Sequence, residues 1–351
     1  MYKFAWIGYF PEEDTLKKVL NAKRVTFSQK DILENFLDNF PPQEVLSLSV
    51  ESKRGNETQG SIIIAPLLLK QIPLLSEEEL IEKTISSVKL ALRKEARIIC
   101  LAGVLGRLVS TVKKRINRED IFFITGRKLF TATIIDNLLK ISSQLDIDLR
   151  EVKLSLFDAD SPVARVCCQL LIGKVREIWL FDKSNRKKDA FAEFNHSNFR
   201  NLTISNSVKD VLRGSKLVIS TYLFLSEEII KNLQPKSIFF DAIVPFWSAK
   251  TIYNERKDIL PIEAAWVTRG PLTHKEFDIL FPEDAIVACI AEAVILGLQN
   301  SLDDFITEFN SRNVVVVSNL AKEEGFFLAD FRCGDTVFGE EIKKIGVSAF
   351  R

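Results

Sequence analysis

The sequence has little histidine, methionine and glycine, and its charges nearly cancel. Of 351 residues, two are histidine, one is methionine and fourteen are glycine, and the net charge is +1. So small a net charge gives no broad electrostatic attraction to nucleic acid or to an anionic membrane. The longest apolar runs, such as residues 61–69, are too short to cross a bilayer. We therefore expect no nucleic-acid partner and no integral membrane segment.

The cysteines are also few and lack the spacing of a metal site. There are five, an odd number, so neither a disulfide framework nor a bound metal is expected, and a reducing cytoplasm is the simplest compartment. The apolar residues 1–10 have no small-residue cleavage site, which favours a strand over a signal peptide. With 46% hydrophobic and 27% charged residues, the chain is predicted to be globular with two or more domains.

Apolar runs and amphipathic stretches alternate along the chain, which predicts an α/β fold with a Rossmann-like, doubly wound parallel sheet. We expect an N-terminal α/β substrate region (residues 1–130), a Rossmann-like nucleotide-type domain (131–282) and a C-terminal helical region carrying Cys289 (283–351). Predicted strands lie at residues 3–8, 45–50, 60–65, 98–102, 152–158, 177–182, 216–221, 237–241 and 265–268, and predicted helices at 77–94, 131–145, 162–172 and 208–213.

The most informative segment is residues 285–296, an apolar, alanine-rich stretch that carries Cys289 and Glu292. Pro282 and the two acidic residues after it are typical of a helix start, so a helix is expected directly after them. In such a helix Ala285, Cys289 and Ala293 share one face. From composition alone, Cys289 is either a small core residue or a thiol with room for a substrate beside it.

Several short motifs follow the order and spacing of one enzyme family. They are residues 4–8, 60–69, 101–103, 125–126, 131–132, Asp241, Pro245, Gly270, His274 and 288–293, the last reading Ala-Cys-Ile-Ala-Glu-Ala. Over most of its length the chain resembles the cyanobacterial-type long-chain acyl-(acyl-carrier-protein) reductases. The resemblance implies that Cys289 receives a long-chain fatty acyl group from acyl carrier protein and that NADPH releases it as fatty aldehyde.

The resemblance also implies an acyl tunnel and a base near the thiol. Cys289 must be a thiolate to attack a thioester, and His274 is the first candidate for its neighbour, with Lys275 second. The alternative for His274 is a structural histidine, and Glu292 is either a helix-packing or hydrogen-bonded carboxylate or a general acid. The predicted tunnel residues lie on the N-terminal side: Ile64, Leu68, Leu101, Gly103 and Val104.

The expected cofactor turn departs from the family. Its glycines align with Phe157, Asp160 and Val163, so the turn lacks all three, and Asp158 and Asp160 add negative charge where a pyrophosphate should approach. We therefore expect weak or absent NADPH affinity at this turn.

Residues at the ends of the next strands complete the predicted cofactor site. Asp182 suits a ribose diol, and Lys183, Arg186 and Lys187 suit a phosphate. Thr221 ends a later strand. A solvated charged turn is the alternative for residues 182–188. Two basic clusters, residues 113–118 and 186–188, are candidate docking faces for an acidic carrier protein or ordinary solvated surfaces.

Three functions remain open from the sequence: an acyl-carrier-protein reductase, a degenerate paralogue that handles acyl groups without NADPH or partners an active homologue, and a Rossmann-like scaffold without chemistry. Nucleotide binding separates the first two, and thioester formation on Cys289 separates the last two.

Overall fold

The computed structural model describes residues 2–22, 40–183, 201–222, 225–272, 280–299, 308–339 and 342. Their contacts divide the chain into two compact units. The first comprises Met1–Leu129, Val267–Glu308 and Val316–Phe327, and the second Phe130–Trp266, Phe309–Val315 and Leu328–Arg351. Residues 283–351, expected as one C-terminal region, are therefore divided between the units, because each unit recruits part of this segment to its own core.

The first unit is built on a five-stranded sheet in the order β2-β3-β1-β4-β5. Strands β1, β3, β4 and β5 are parallel, and β2 pairs antiparallel with β3. The sheet strands are β1 Phe4–Phe10, β2 Gln43–Glu51, β3 Glu57–Leu68, β4 Ile98–Leu101 and β5 Phe122–Ile124. A separate pair consists of β12 Trp266–Thr268 and β13 Ala285–Val287.

Helices of this unit cover the sheet. They are α1 Glu13–Ala22, α2 Glu77–Arg93, α3 Val109–Ile116 and α9 Ala288–Gly297, with 3-10 helices at Leu69–Leu74 and Gly103–Leu108. Ser76 and Glu79 form a reciprocal capping box at the start of α2. All ten residues of α9 are buried, and the helix packs on β4, β1 and β3.

The second unit contains a six-stranded parallel sheet in the order β8-β7-β6-β9-β10-β11. This is the Rossmann order 3-2-1-4-5-6, so the predicted α/β fold with a doubly wound parallel sheet is confirmed. Its strands are β6 Lys153–Phe157, β7 Glu177–Phe181, β8 Leu202–Ser205, β9 Leu217–Ser220, β10 Ile238–Asp241 and β11 Leu260–Glu263, beside a hairpin of β14 Arg332–Cys333 and β15 Thr336–Val337.

Helices separate these strands. They are α5 Pro162–Leu171, α6 Val208–Leu212, α7 Glu227–Asn232 and α8 Trp247–Glu255, with a 3-10 helix at Leu149–Glu151. The unit boundary falls within two further helices, α4 Arg127–Gln144 and α10 Ser311–Glu323. Among the described residues, none of the helices is long and apolar enough to span a bilayer.

One predicted element boundary is wrong. The helix expected to follow Asp284 begins only at Ala288, because Ala285–Val287 form strand β13. Ile286 and Val287 are β-branched and fit a paired strand better than a first helical turn. Ala285 therefore does not share a helical face with Cys289.

Candidate functional site

In the first unit, Cys289 lies in the first turn of α9 above the parallel strands β1 and β4. The indole Nε1 of Trp6 donates a hydrogen bond to Sγ of Cys289 over 3.2 Å. Trp6 is paired with Cys100 across β1 and β4, so both side chains project from the same face of the sheet. Sγ of Cys100 lies 3.7 Å from the carbonyl oxygen of Cys289. Side chains from the neighbouring strands β1 and β4 thus contact the cysteine of the motif on α9.

The turn after β5 also contacts this cysteine closely. Gly126 has φ of 70°, and a Cβ added there would overlap the Cβ and Cα of Cys289. Any larger residue at position 126 would therefore have to adopt a left-handed backbone conformation and would also clash with Cys289. Because Gly126 follows the carboxyl end of β5, the thiol lies at the sheet edge where α/β proteins bind ligands.

The thiol is protonated at neutral pH in this arrangement. Burial raises the pKa of Cys289 to about 12, with the Trp6 hydrogen bond acting against the shift and the charge of Glu292 adding to it. Roughly one thiol in 100,000 is then ionised at pH 7. A nucleophilic role needs a base or a change of surroundings when substrate arrives.

Glu292, one turn after Cys289, is fully buried and engaged by the start of α4. Its Oε2 accepts a hydrogen bond from the Leu129 backbone N–H over 2.9 Å, and its Oε1 lies 3.2 Å from Nζ of Lys128. Both side chains of this ion pair are at most 5% exposed. The geometry therefore gives Glu292 a bridging contact between α9 and α4.

The predicted tunnel residues fall into two groups. Ile64 and Leu68 on β3 and Leu101 at the end of β4 are buried in the core. Gly103 is exposed and Val104 partly exposed, in the turn after β4. These two border Tyr9, because a Cβ at Gly103 would overlap the Tyr9 hydroxyl and the Val104 N–H donates to that hydroxyl.

Tyr9 was not among the predicted site residues, yet its hydroxyl belongs to this group. Burial raises the pKa of Tyr9 to about 12, and the charges of Cys289 and Arg107 act on it in opposite directions. Trp6 and Tyr9 come from the first strand, more than two hundred residues before Cys289, and no local spacing connects them.

In the second unit, the turn after β6 has the shape but not the residues of a dinucleotide site. Asp158 takes the left-handed backbone with φ of 81°, whereas Phe157 is an extended, buried strand residue paired with Phe181. The position with positive φ is therefore Asp158 and not Phe157, because Phe157 is still part of the paired strand β6. Val163 is buried in α5, which Pro162 begins.

Asp158 lies where the strand order of the six-stranded sheet reverses, between the ends of β6 and β9. β6 and β9 lie side by side there, and Oγ1 of Thr221 donates to Oδ2 of Asp158 over 3.1 Å. Tyr222 follows, and its pKa is raised to about 12 by burial and then by the charges of Asp158, Asp160 and Asp182. A pyrophosphate would meet several carboxylates here, and each unfavourable contact costs on the order of 1 kcal/mol or more at an effective dielectric constant near 20.

The remaining predicted cofactor residues lie around the same edge. Asp182 is 2% exposed at the end of β7, and its N–H donates to the Ser205 carbonyl. Lys183 is exposed, and Asp160 is exposed in the turn. These side chains do not fit an NADPH pyrophosphate, since the turn offers carboxylates where a phosphate site needs glycine and free N–H groups.

Some of the residues predicted from the sequence lie outside the described part of the chain or away from both sites. His274, Lys275 and residues 186–188 lie outside the described residues. In the other basic cluster, Arg115 pairs with Glu78 and Glu82, and Arg118 pairs with Asp120. Among the described residues, no group of three or more His, Cys, Asp or Glu side chains is placed to hold a metal ion.

No family model matches this chain. Among curated proteins it is 20% identical over 286 residues to the aminotransferase PigE of Serratia sp. (strain ATCC 39006), a match that covers 80% of this chain and 33% of that protein. The chain thus spans about a third of the length of the curated relative it matches.

Solved structures with a similar arrangement include two dehydrogenases. L-tryptophan dehydrogenase from Nostoc punctiforme aligns with a TM-score of 0.41 at 11% identity, over 99% of this chain and 88% of that one. Shikimate dehydrogenase 1 from Peptoclostridium difficile aligns with a TM-score of 0.37 at 12% identity, over 92% and 99%. At such low values these likenesses carry no argument about activity, and the fold assignment rests on the strand order of the chain itself.

Proposed function

We propose that this chain accepts a long-chain acyl group from a carrier thioester onto Cys289, as a divergent relative of the acyl-(acyl-carrier-protein) reductases. The observation that carries the proposal is the position of the thiol. Sγ lies at the carboxyl edge of a parallel sheet and accepts a hydrogen bond from Trp6, and Gly126 approaches the backbone of Cys289 closely. The motif of residues 288–293 supports the same assignment.

The chemistry is an exchange of one thioester for another. The sulfur of Cys289, once deprotonated, attacks the carbonyl carbon of the acyl donor, and the bond between that carbon and the donor sulfur breaks. The donor leaves as a thiolate and takes up the proton that Cys289 released. The indole N–H of Trp6 stabilises the thiolate, whereas the Glu292 charge opposes it. No electrons are transferred in this step.

The proposed substrate class rests on the family resemblance, which implies a long-chain acyl group. Ile64 within β3, and Leu68 and Leu101 at the ends of β3 and β4, are buried apolar residues of the same unit, and Val104 lies in the turn after β4. A long alkyl chain needs such apolar surroundings with few polar groups. Acyl carrier protein is the proposed donor, and the cytoplasm is the proposed compartment.

A reductase step with NADPH, ending in fatty aldehyde, is the alternative that the resemblance implies. The Asp158–Thr221 hydrogen bond favours the paralogue that handles acyl groups without this cofactor. His274 is the residue proposed to act as base in either case.

The test is incubation with long-chain acyl carrier protein, with and without NADPH, followed by intact-protein mass and aldehyde analysis. The proposal expects an acyl adduct and no aldehyde. An aldehyde product that requires NADPH would establish the reductase instead, and absence of both products would refute acyl acceptance.

A further inference from the structure

Two acidic side chains lie side by side inside the second unit, and we call them the carboxyl pair. Asp241 ends β10 and Glu263 ends β11, and the two residues are paired in the register of these parallel strands. Neighbouring strands are about 4.8 Å apart, and paired residues project from the same face of the sheet. Asp241 is fully buried and Glu263 is 4% exposed. Within the described part of the chain, neither forms an ion pair with a lysine or an arginine.

The hydrogen bonds of the two carboxyl groups differ. Both oxygens of Glu263 accept a hydrogen bond over 2.7 Å, Oε1 from the Gly334 N–H and Oε2 from the indole Nε1 of Trp266. Asp241 accepts one at Oδ2, from the Ala249 N–H of α8 over 2.8 Å. Its Oδ1 has no hydrogen-bond partner among the residues that the structure describes. Glu263 is therefore surrounded by donors, as an ionised carboxylate requires, whereas Oδ1 of Asp241 is free to carry a proton.

Burial and the neighbouring carboxyl group both favour one bound proton. Burial raises the pKa of Asp241 well above its ordinary value, with the Ala249 hydrogen bond opposing the shift and the Glu263 charge adding to it. Burial also raises the pKa of Glu263, against its two hydrogen bonds and the charges of Lys250 and Arg332. Two like charges in one buried place are costly, so the pair titrates as a unit. The groups that face it from neighbouring elements are Lys250 of α8, Arg332 and Cys333 of β14, and the uncharged Ser220 of β9.

Glu263 is also the point at which the hairpin of β14 and β15 is attached to the sheet. Gly334, which donates to Glu263, lies in the turn of this hairpin, and β14 packs on β11 and α8. Cys333 is 4% exposed, and its pKa is raised to about 12 by burial and then by the charges of the carboxyl pair. A second contact joins the hairpin to α8, since Oγ1 of Thr336 donates to the Tyr253 hydroxyl over 3.3 Å. The ionisation of the pair is thus linked to the docking of the hairpin.

We propose that Asp241 and Glu263 hold one proton at neutral pH, on Asp241, and that loss of this proton releases the hairpin of β14 and β15. With the proton in place, Glu263 is the only charge of the pair. Without it, two adjacent carboxylates repel each other, and movement of the hairpin lets water reach Glu263, because Gly334 otherwise occupies one side of this carboxylate. The carboxyl pair is therefore a pH-sensitive latch, and it is independent of acyl transfer to Cys289.

The sign of the pH dependence follows from the raised pKa of Asp241. In the unfolded chain this carboxyl group ionises near its ordinary pKa of about 4. In the folded chain it keeps its proton to higher pH, so the folded state binds more protons than the unfolded state. The stability that this proton provides is complete below the unfolded pKa and is lost as the pH rises towards the folded pKa.

Urea unfolding at several pH values tests the position of the proton. Asp241→Asn copies a protonated carboxyl group in shape and charge. Between about pH 5 and pH 7, the unfolding equilibrium constant of the wild type should rise about tenfold more per pH unit than that of Asp241→Asn. Asp335→Asn makes the same change at an exposed aspartate in the hairpin turn and should keep the wild-type slope. Equal slopes in the wild type and Asp241→Asn, or an Asp241→Asn chain that does not fold, would overturn the proposal.

Alkylation of Cys333 tests whether the hairpin is the part that responds. Iodoacetamide is added to the folded protein without denaturant, and the modified peptides are identified by mass. From about pH 6 to pH 8, the ratio of the Cys333 rate in the wild type to that in Asp241→Asn should rise by up to about tenfold per pH unit. Cys289, in the first unit, is the reference and should react at the same rate in both proteins. A constant ratio at Cys333, or an equal rise at both cysteines, would overturn the release of the hairpin.

Discussion

Trp6 Nε1 donates a hydrogen bond to Sγ of Cys289, joining the first strand to a helix 283 residues later in the chain. The donor is an indole, which is uncharged, and backbone hydrogen bonds from Cys289 and Ile290 act on the thiol in the same direction. It moderates the effect of burial without reversing it, and the thiol pKa stays near 12. The resting site is therefore unreactive, and reactivity has to come with the substrate.

The first prediction concerns the pH dependence of this thiol. Because its pKa is raised to about 12, Cys289 is neutral below that value, and its thiolate fraction rises tenfold with each pH unit. Alkylation of Cys289 by iodoacetamide, followed by peptide mass analysis, should therefore increase steadily from neutral pH to about pH 10 without a plateau. A plateau at or below the ordinary thiol pKa would show that the substrate-free site already activates the sulfur.

The second prediction uses two glycines with nearly the same backbone. Gly126→Ala should lower the free energy of unfolding by about 3 kcal/mol, because φ of 70° is strained for alanine and the new methyl overlaps Cys289. Gly173→Ala, with φ of 74° and nothing within 4 Å of the added Cβ, isolates the backbone cost of about 1 kcal/mol. Urea denaturation measures both, and equal losses would contradict the close packing at Cys289.

The third prediction concerns the buried Lys128–Glu292 pair. Lys128→Met leaves the Glu292 carboxylate buried without its cation and should destabilise the protein by about 3–5 kcal/mol. Adding Glu292→Gln should recover much of this loss, since the uncompensated charge is removed. Denaturant titrations of the two single variants and the double variant give the coupling. Strict additivity would mean that the two side chains do not interact in solution.

The elements with clear periodicity were predictable from sequence. Alternating apolar strands and amphipathic helices predicted the doubly wound parallel sheet and the helix near residues 77–94, but β8 and β11 were not among the predicted strands. The boundary after Asp284 was not predictable from the sequence, because strand β13 precedes α9. Three residues are too few for the periodicity of apolar residues to distinguish a strand from a helix. The run of valines at 314–317 lies inside α10, where packing outweighs the strand preference of β-branched residues.

The site itself was only partly predictable. Cys289 and Glu292 carry a local motif, whereas Trp6 and Tyr9 reach the same site only through strand order. The acidic turn was foreseen from the missing glycines. Its hydrogen bond from Thr221 to Asp158 was not, because the two residues meet only when β6 and β9 pair.

The fourth prediction tests that turn. NADPH titration followed by ligand fluorescence should show no binding to the wild-type chain up to millimolar concentration, because Asp158 and Asp160 repel a pyrophosphate. Replacing both with glycine should give measurable affinity by removing two charges and relieving the backbone at φ of 81°. Asp146→Gly, at another aspartate with positive φ, is the matched control and should change nothing. Micromolar binding to the wild type would restore the reductase assignment.

The measurement that bears most directly on the account is the location of the acyl adduct. Peptide mass analysis after exposure to long-chain acyl carrier protein should find the acyl group on Cys289. The adduct should disappear in Cys289→Ser and persist in Cys333→Ser, which changes another buried cysteine, in the second unit. An adduct that survives unchanged in Cys289→Ser, or none in the wild type, would contradict the assignment of Cys289 as the acyl acceptor.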